Sequence, residues 1–209
     1  MSDVRELAMF PLQSVALPRL GLPLRVFEPR YLAMLDVVLA SQDPSFGVTL
    51  IERGSEVGGG DVRSTLGTVA TIVHHEPSPD GMVHLLAVGS ARIDVVEWLP
   101  DDPYPKAVVR ERPDGEWTAA TDGALAAAEE AVRRTFDLYH ELGEPVGLPA
   151  DALADDALTR SWQLAGVLPV PILDKHALLG VDDPTERLRR LCGMADEAND
   201  VLALRLRGL

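Results

Sequence analysis

Four prolines, Pro11, Pro18, Pro23 and Pro29, interrupt the apolar run between Leu7 and Tyr31. Proline has no N–H to give to a sheet ladder, so each of the first three belongs at a strand end or on an edge strand. The stretch therefore predicts two short strands, over 7–12 and 24–27, joined by tight turns. Pro29 suits the first turn of a helix, where a missing N–H is no loss. Glu28 before it puts negative charge at the positive end of that helix. Tyr31, Met34, Leu35 and Val38 then recur at helical spacing, with Leu32 and Leu39 widening the stripe.

Further along, 46–51, 66–75, 82–88, 91–99 and 104–110 read as strands rich in Val, Ile and Thr. Pro77-Ser78-Pro79-Asp80-Gly81 supplies turn chemistry for a hairpin. Turn signals recurring about every ten residues predict a closed or partly closed barrel. Composition changes at Pro113-Asp114-Gly115-Glu116, and everything beyond reads helical. Leu125, Ala128, Val132, Phe136 and Tyr139 share one face of a helix over 121–142. Asp151 is placed to cap a third helix carrying Leu158, Trp162 and Ala165. A short fourth spans 172–179. Asp183-Pro184-Thr185-Glu186 is a complete start signal for a last long helix, with a capping aspartate, proline at the first position and glutamate three residues on. The expected domains are a β-rich unit, 1–115, and a helical unit, 116–209.

At 209 residues and 46% hydrophobic, the chain is long and apolar enough to bury a sizeable core. Its net charge of −14 repels phosphate backbones, and no basic run offsets it, so nucleic acid is not an expected partner. The one cysteine, Cys192, excludes an intramolecular disulfide and any zinc site built on several cysteines. It lies in an apolar helical stripe and reads as a buried thiol. There is no secretory leader pattern and no run of about 18 apolar residues, so neither export nor a membrane span is expected, and the cytoplasm is the default.

Catalytic signatures are weak. The glycine-rich loop over 52–61 lacks the Gly-Lys-Ser/Thr ending of a phosphate-binding loop, and neither lysine, Lys106 or Lys175, follows a glycine. Of the five histidines, His74 and His84 flank the predicted hairpin, where they can face each other with Glu76 nearby. Solvated side chains on a rim explain them better than a metal site. Ser14 and Ser161 have no neighbouring base, and Asp101-Asp102 and Asp182-Asp183 sit beside prolines as turn and cap residues. No catalytic residue, metal or cofactor is expected.

Surfaces are better candidates. Leu20, Leu22 and Leu24 surround prolines in an edge-like segment, and Trp98 stands at a strand end before Pro100. Apolar groups in such places can hold an extended polypeptide by edge pairing and pocket contacts; core filling is the plainer alternative for each. Arg30 can rim a groove and donate to a peptide carbonyl. Alternatively Glu28 and Arg30 tie the helix start to the barrel, with Tyr31 in the core. The last helix shows Arg187, Arg190, Asp196 and Glu197 on a face that reads as solvated, and self-association through this helix is a further option.

Several blocks together, Phe10-Pro11-Leu12, Leu22-Pro23-Leu24, Phe27-Glu28-Pro29-Arg30-Tyr31, Phe46-Gly47-Val48, Gly67-Thr68-Val69-Ala70 and Gly89-Ser90-Ala91-Arg92, resemble in order the N-terminal, substrate-binding domain of the Lon protease family. Trp162-Gln163-Leu164-Ala165, Leu168-Pro169-Val170-Pro171 and Asp174-Lys175-His176-Ala177-Leu178-Leu179 extend the resemblance, with His176 where the family usually has glutamine. It implies an α+β fold, a PUA-like pseudo-barrel followed by a helical subdomain, and a turn at Gly89-Ser90. It also implies a stand-alone form lacking the ATPase and peptidase domains, since these 209 residues contain no Walker A motif and no Ser–Lys peptidase pattern. The implied role is non-catalytic binding of unfolded or partly folded polypeptides, as a recognition or adaptor module serving an ATP-dependent protease in trans. Two alternatives are a small-molecule or hydrolytic enzyme using the barrel cleft, and an RNA-binding PUA-like protein, which the charge disfavours.

Overall fold

The computed structural model describes residues 4–54, 62–144 and 153–208. The glycine-rich loop from 55 to 61 and Asp151 lie outside them. The chain divides into two compact units, Met1–Pro113 and Asp114–Leu209.

The first unit holds β1 (Val4–Leu12), β2 (Gly21–Val26), α1 (Pro29–Leu39), β3 (Ser45–Arg53), β4 (Val62–Pro77), β5 (Val83–Leu99) and β6 (Lys106–Arg112). The sheet order is β2-β5-β4-β3-β1-β6, and β6 pairs back onto β5, so five strands close a barrel and β2 hangs on its side. β1 and β3 run parallel, and the other pairings are antiparallel. Among the described residues β2 pairs with β5 alone, as Pro23 at its middle requires of an edge strand. β1 is buried on both faces. Phe10 and Leu12 join α1 residues Tyr31, Met34 and Val38 in one apolar cluster. Leu7 and Met9 join Val69, Ile93, Ala107 and Val109 in another.

The break expected at Gly89-Ser90 is absent: residues 83–99 are one continuous strand. Its first half pairs with β2 and the far end of β4, its second half with β6 and the near end of β4. Gly89 serves a different purpose. The backbone of Leu17 and Pro18 crosses directly over it, leaving no room for a Cβ. The Arg19 N–H donates to the Gly89 carbonyl at 2.8 Å, and the Gly89 N–H donates to the Leu20 carbonyl at 3.0 Å. Arg19 makes that crossing with a left-handed φ of 67°. At the β4–β5 hairpin Gly81 takes the left-handed position, with φ 84°.

The second unit holds α2 (Ala119–Glu141), α3 (Ala157–Val167), α4 (Ile172–Leu179) and α5 (Pro184–Leu206). α3 is capped by Asp156, whose carboxylate accepts from the Thr159 N–H at 2.9 Å; Asp151, the cap expected from the sequence, lies outside the described residues. Asp183 caps α5 by accepting from the Thr185 N–H, also at 2.9 Å. Leu188, Leu191, Ala195 and Leu202 form the buried line of α5. Two expectations for this helix need correction. Arg187 is not solvated; it is 3% exposed, paired with Asp114 at 2.7 Å and stacked over Trp162 at 4.2 Å. Cys192 is half-buried rather than buried. No helix among the described residues is long and apolar enough to cross a membrane.

Candidate functional site

The place where β2 runs into α1 forms a pocket of about 200 Å³. Strand alternation builds it. Leu22, Leu24 and Val26 turn toward the core, while Gly21, Pro23 and Arg25 face outward. Leu22 and Leu24 are half-buried and pack on the cluster under α1. The pocket floor is Phe10 against Tyr31, ring centroids 4.1 Å apart and tilted at 57°. Leu24, Pro23 and Val26 form the strand side. Phe27 stands at the mouth with half its surface exposed, between the end of the strand and the N-cap of α1.

Glu28 and Arg30 brace the other wall. The Arg30 Nε donates to the Glu28 carboxylate at 3.1 Å, and the guanidinium lies 4.5 Å from the centre of the Tyr31 ring. Tyr31 itself is 3% exposed. The Arg30 side chain, 18% exposed, thus lies paired with Glu28 beside the pocket. Arg25 is the exposed cation at this pocket. The arrangement can accept an apolar side chain, beside a strand edge where backbone can pair. At about 200 Å³ the pocket is smaller than the roughly 300–1,000 Å³ clefts that enclose drug-sized ligands.

Of the residues singled out in the sequence, Leu24 lines the pocket and Leu22 adjoins it on the same strand face. Leu20 precedes β2, half-buried, where its carbonyl meets Gly89. Trp98 is not part of this site. It lies at the far end of β5 opposite Ala107, half-buried on the second cluster, with the Arg63 guanidinium 4.9 Å from its ring centre. Arg63 in turn donates to both carboxylate oxygens of Asp101, at 3.0 and 2.7 Å. Phe27 and Phe10 were missed as pocket residues. The sequence reading takes Phe27 into the strand over 24–27, whereas the strand ends at Val26; a large aromatic directly before the capping position Glu28 was the available signal.

The hairpin histidines do not face one another. The register, set by the turn between Pro77 and Val83, places His84 opposite Glu76 and His74 opposite Leu86. All three are exposed, and no group of three potential metal ligands converges among the described residues. Arg92, 2% exposed, donates to the Pro113 carbonyl at 2.8 Å and so braces the end of the barrel unit.

This fold of the described residues matches solved Lon N-terminal domains. A Lon N-terminal domain protein from Xanthomonas campestris superposes with a TM-score of 0.63 at 29% identity, covering 90% of this chain and 98% of that one. The N-terminal domain of the Mycobacterium avium complex Lon protease, 20% identical, shares the fold with a TM-score of 0.62 over 92% of this chain and 98% of that one. In sequence, residues 6–197 match the family model of the ATP-dependent protease La (LON) substrate-binding domain. The chain belongs to that family. It is 30% identical to Lon protease 2 of Herpetosiphon aurantiacus, over 95% of this chain and 24% of the relative. It is 26% identical to Lon protease of Escherichia coli K12, over 99% of this chain and 26% of the relative. It therefore spans about a quarter of the length of the curated relatives it matches.

Proposed function

We propose that this chain is a non-catalytic module that binds unfolded or partly folded polypeptides. The observation that carries the proposal is the aromatic-floored pocket beside an edge strand whose second side has no strand partner among the described residues. A client running along β2 pairs its backbone with the open edge and drops an apolar side chain onto Phe10 and Tyr31. Leu22 and Leu24 set the strand face, Leu20 the entry, and Arg30 holds the wall. Trp98 serves as a separate contact on the Arg63 side of the barrel. The chain then acts as a recognition or adaptor module in the cytoplasm, presenting clients to an ATP-dependent protease. Family membership supports polypeptide binding, and the lack of a Walker A motif and of a Ser–Lys pattern in these residues supports the absence of catalysis.

The test is capture of a permanently unfolded protein, such as a reduced and carboxymethylated one, by Leu22→Asp and Phe27→Asp variants. Both should weaken capture by about tenfold or more, the size expected when one anchor is lost. Phe27 is exposed, so its variant keeps the native circular dichroism even if Leu22→Asp disturbs the core. Full capture by a folded Phe27→Asp variant contradicts the proposal.

A further inference from the structure

A second cleft, of about 590 Å³, lies within the helical unit and owes nothing to the barrel pocket. One wall is a face of α5 next to its buried line: Met194, Ala198, Val201 and Arg205 follow one another at spacings of four, three and four. That face extends about three turns, or about 16 Å at 1.5 Å per residue. The buried line itself is committed to α2, where the Asn199 side-chain amide donates to the Ala131 carbonyl at 3.1 Å. The opposite wall is the link Pro169-Val170-Pro171, and Tyr139 closes one side. Val201 is 58% exposed, a large apolar residue turned to water along a built groove.

We infer that this cleft docks an amphipathic helix of a partner protein, apolar on the buried face and carrying Lys or Arg beside it. The backbone chemistry selects a helix. Two of the three link residues are prolines without N–H groups, and the α5 backbone is bonded within its own helix. An extended segment would bury unpaired donors and acceptors here, whereas a helix satisfies its own. The charge selects a basic partner. Asp174 and Glu197 line the cleft, exposed and outside every ion pair among the described residues, while the one cation among its described lining residues, Arg205, is held by Glu144 at 2.8 Å. The chain's net charge of −14 adds attraction at longer range.

The test uses the full chain and a fluorescein-labelled helical peptide of about 18 residues, with leucines at i, i+3, i+4 and i+7 and flanking lysines. A matched peptide carries glutamates in place of the lysines. The lysine peptide should bind saturably, and Val201→Asp should weaken it at least about tenfold. The double variant Asp174→Asn/Glu197→Lys should weaken the lysine peptide and improve the glutamate peptide. Both altered sites are exposed, so folding is preserved and circular dichroism checks it. Equal binding of the lysine peptide to wild type and Val201→Asp overturns the inference. So does indifference to peptide charge, or a self-association in light scattering that Val201→Asp abolishes, which assigns the cleft to a second copy of this chain. Phe27→Asp leaves this binding unchanged, so a failure here is separable from a failure at the barrel pocket.

Discussion

The carbonyl oxygen of Leu17 occupies the space into which a side chain on Gly89 would grow. The loop entering β2 is thereby stitched to the middle of β5, through hydrogen bonds on both sides of the glycine. Gly89→Ala should cost about 1–3 kcal/mol, the range for forcing extra atoms into a packed site. Urea unfolding followed by circular dichroism checks this. Because the same crossing positions β2, the variant should also lose client binding before it loses its fold.

Arg187 and Asp114 form the most buried ion pair among those described, with side chains 4% and 27% exposed. Removing one partner takes this ion pair from the other, which keeps its remaining contacts, such as the Arg187 donation to the Val181 carbonyl at 3.1 Å. Asp114→Ala is expected to destabilise the helical unit by about 2–3 kcal/mol, less than the roughly 3–5 of a fully buried pair because water still reaches the carboxylate. Thermal unfolding of Asp114→Ala, Arg187→Met and the double variant forms a cycle. The double variant should be more stable than the sum of the singles predicts.

Burial raises the Cys192 thiol above its ordinary range, and the Asp196 carboxylate 3.7 Å away raises it further. The thiolate is the reactive form, so at a given pH the folded protein holds less of it than the unfolded chain. Alkylation by iodoacetamide should run several-fold slower in buffer than in urea at the same mildly alkaline pH. Asp196→Asn, which removes the nearby negative charge, should speed the folded reaction. Rates that do not respond to Asp196→Asn would contradict the electrostatic part of this account.

How far the sequence could be read depended on how local each cause is. Helix starts are local: Asp183, Pro184 and Thr185 place the beginning of α5 from three adjacent residues. Pro23 declares an edge strand because a missing N–H is a property of one residue. Gly89 misleads for the opposite reason. The resemblance implies a turn there, but the requirement for glycine comes from Leu17, far back in the chain. Arg187 likewise sits among the charges of an outward-looking helix face, and its partner lies 73 residues away. The pocket was half legible. Leu22 and Leu24 stood out by their prolines, yet the aromatic floor comes from Phe10 on β1 and Tyr31 on α1, which only the fold brings together. Trp98 shared the same sequence logic but lies at the other end of β5, opposite Ala107.

The most direct measurement is backbone amide NMR of the isotopically labelled chain, titrated with a reduced and carboxymethylated unfolded protein. The account predicts that the largest shifts or broadenings fall on residues 21–28 and on Phe10 and Tyr31, and that Phe27→Asp suppresses them. Perturbations confined elsewhere, with the β2 edge and its pocket unmoved at saturation, would contradict it.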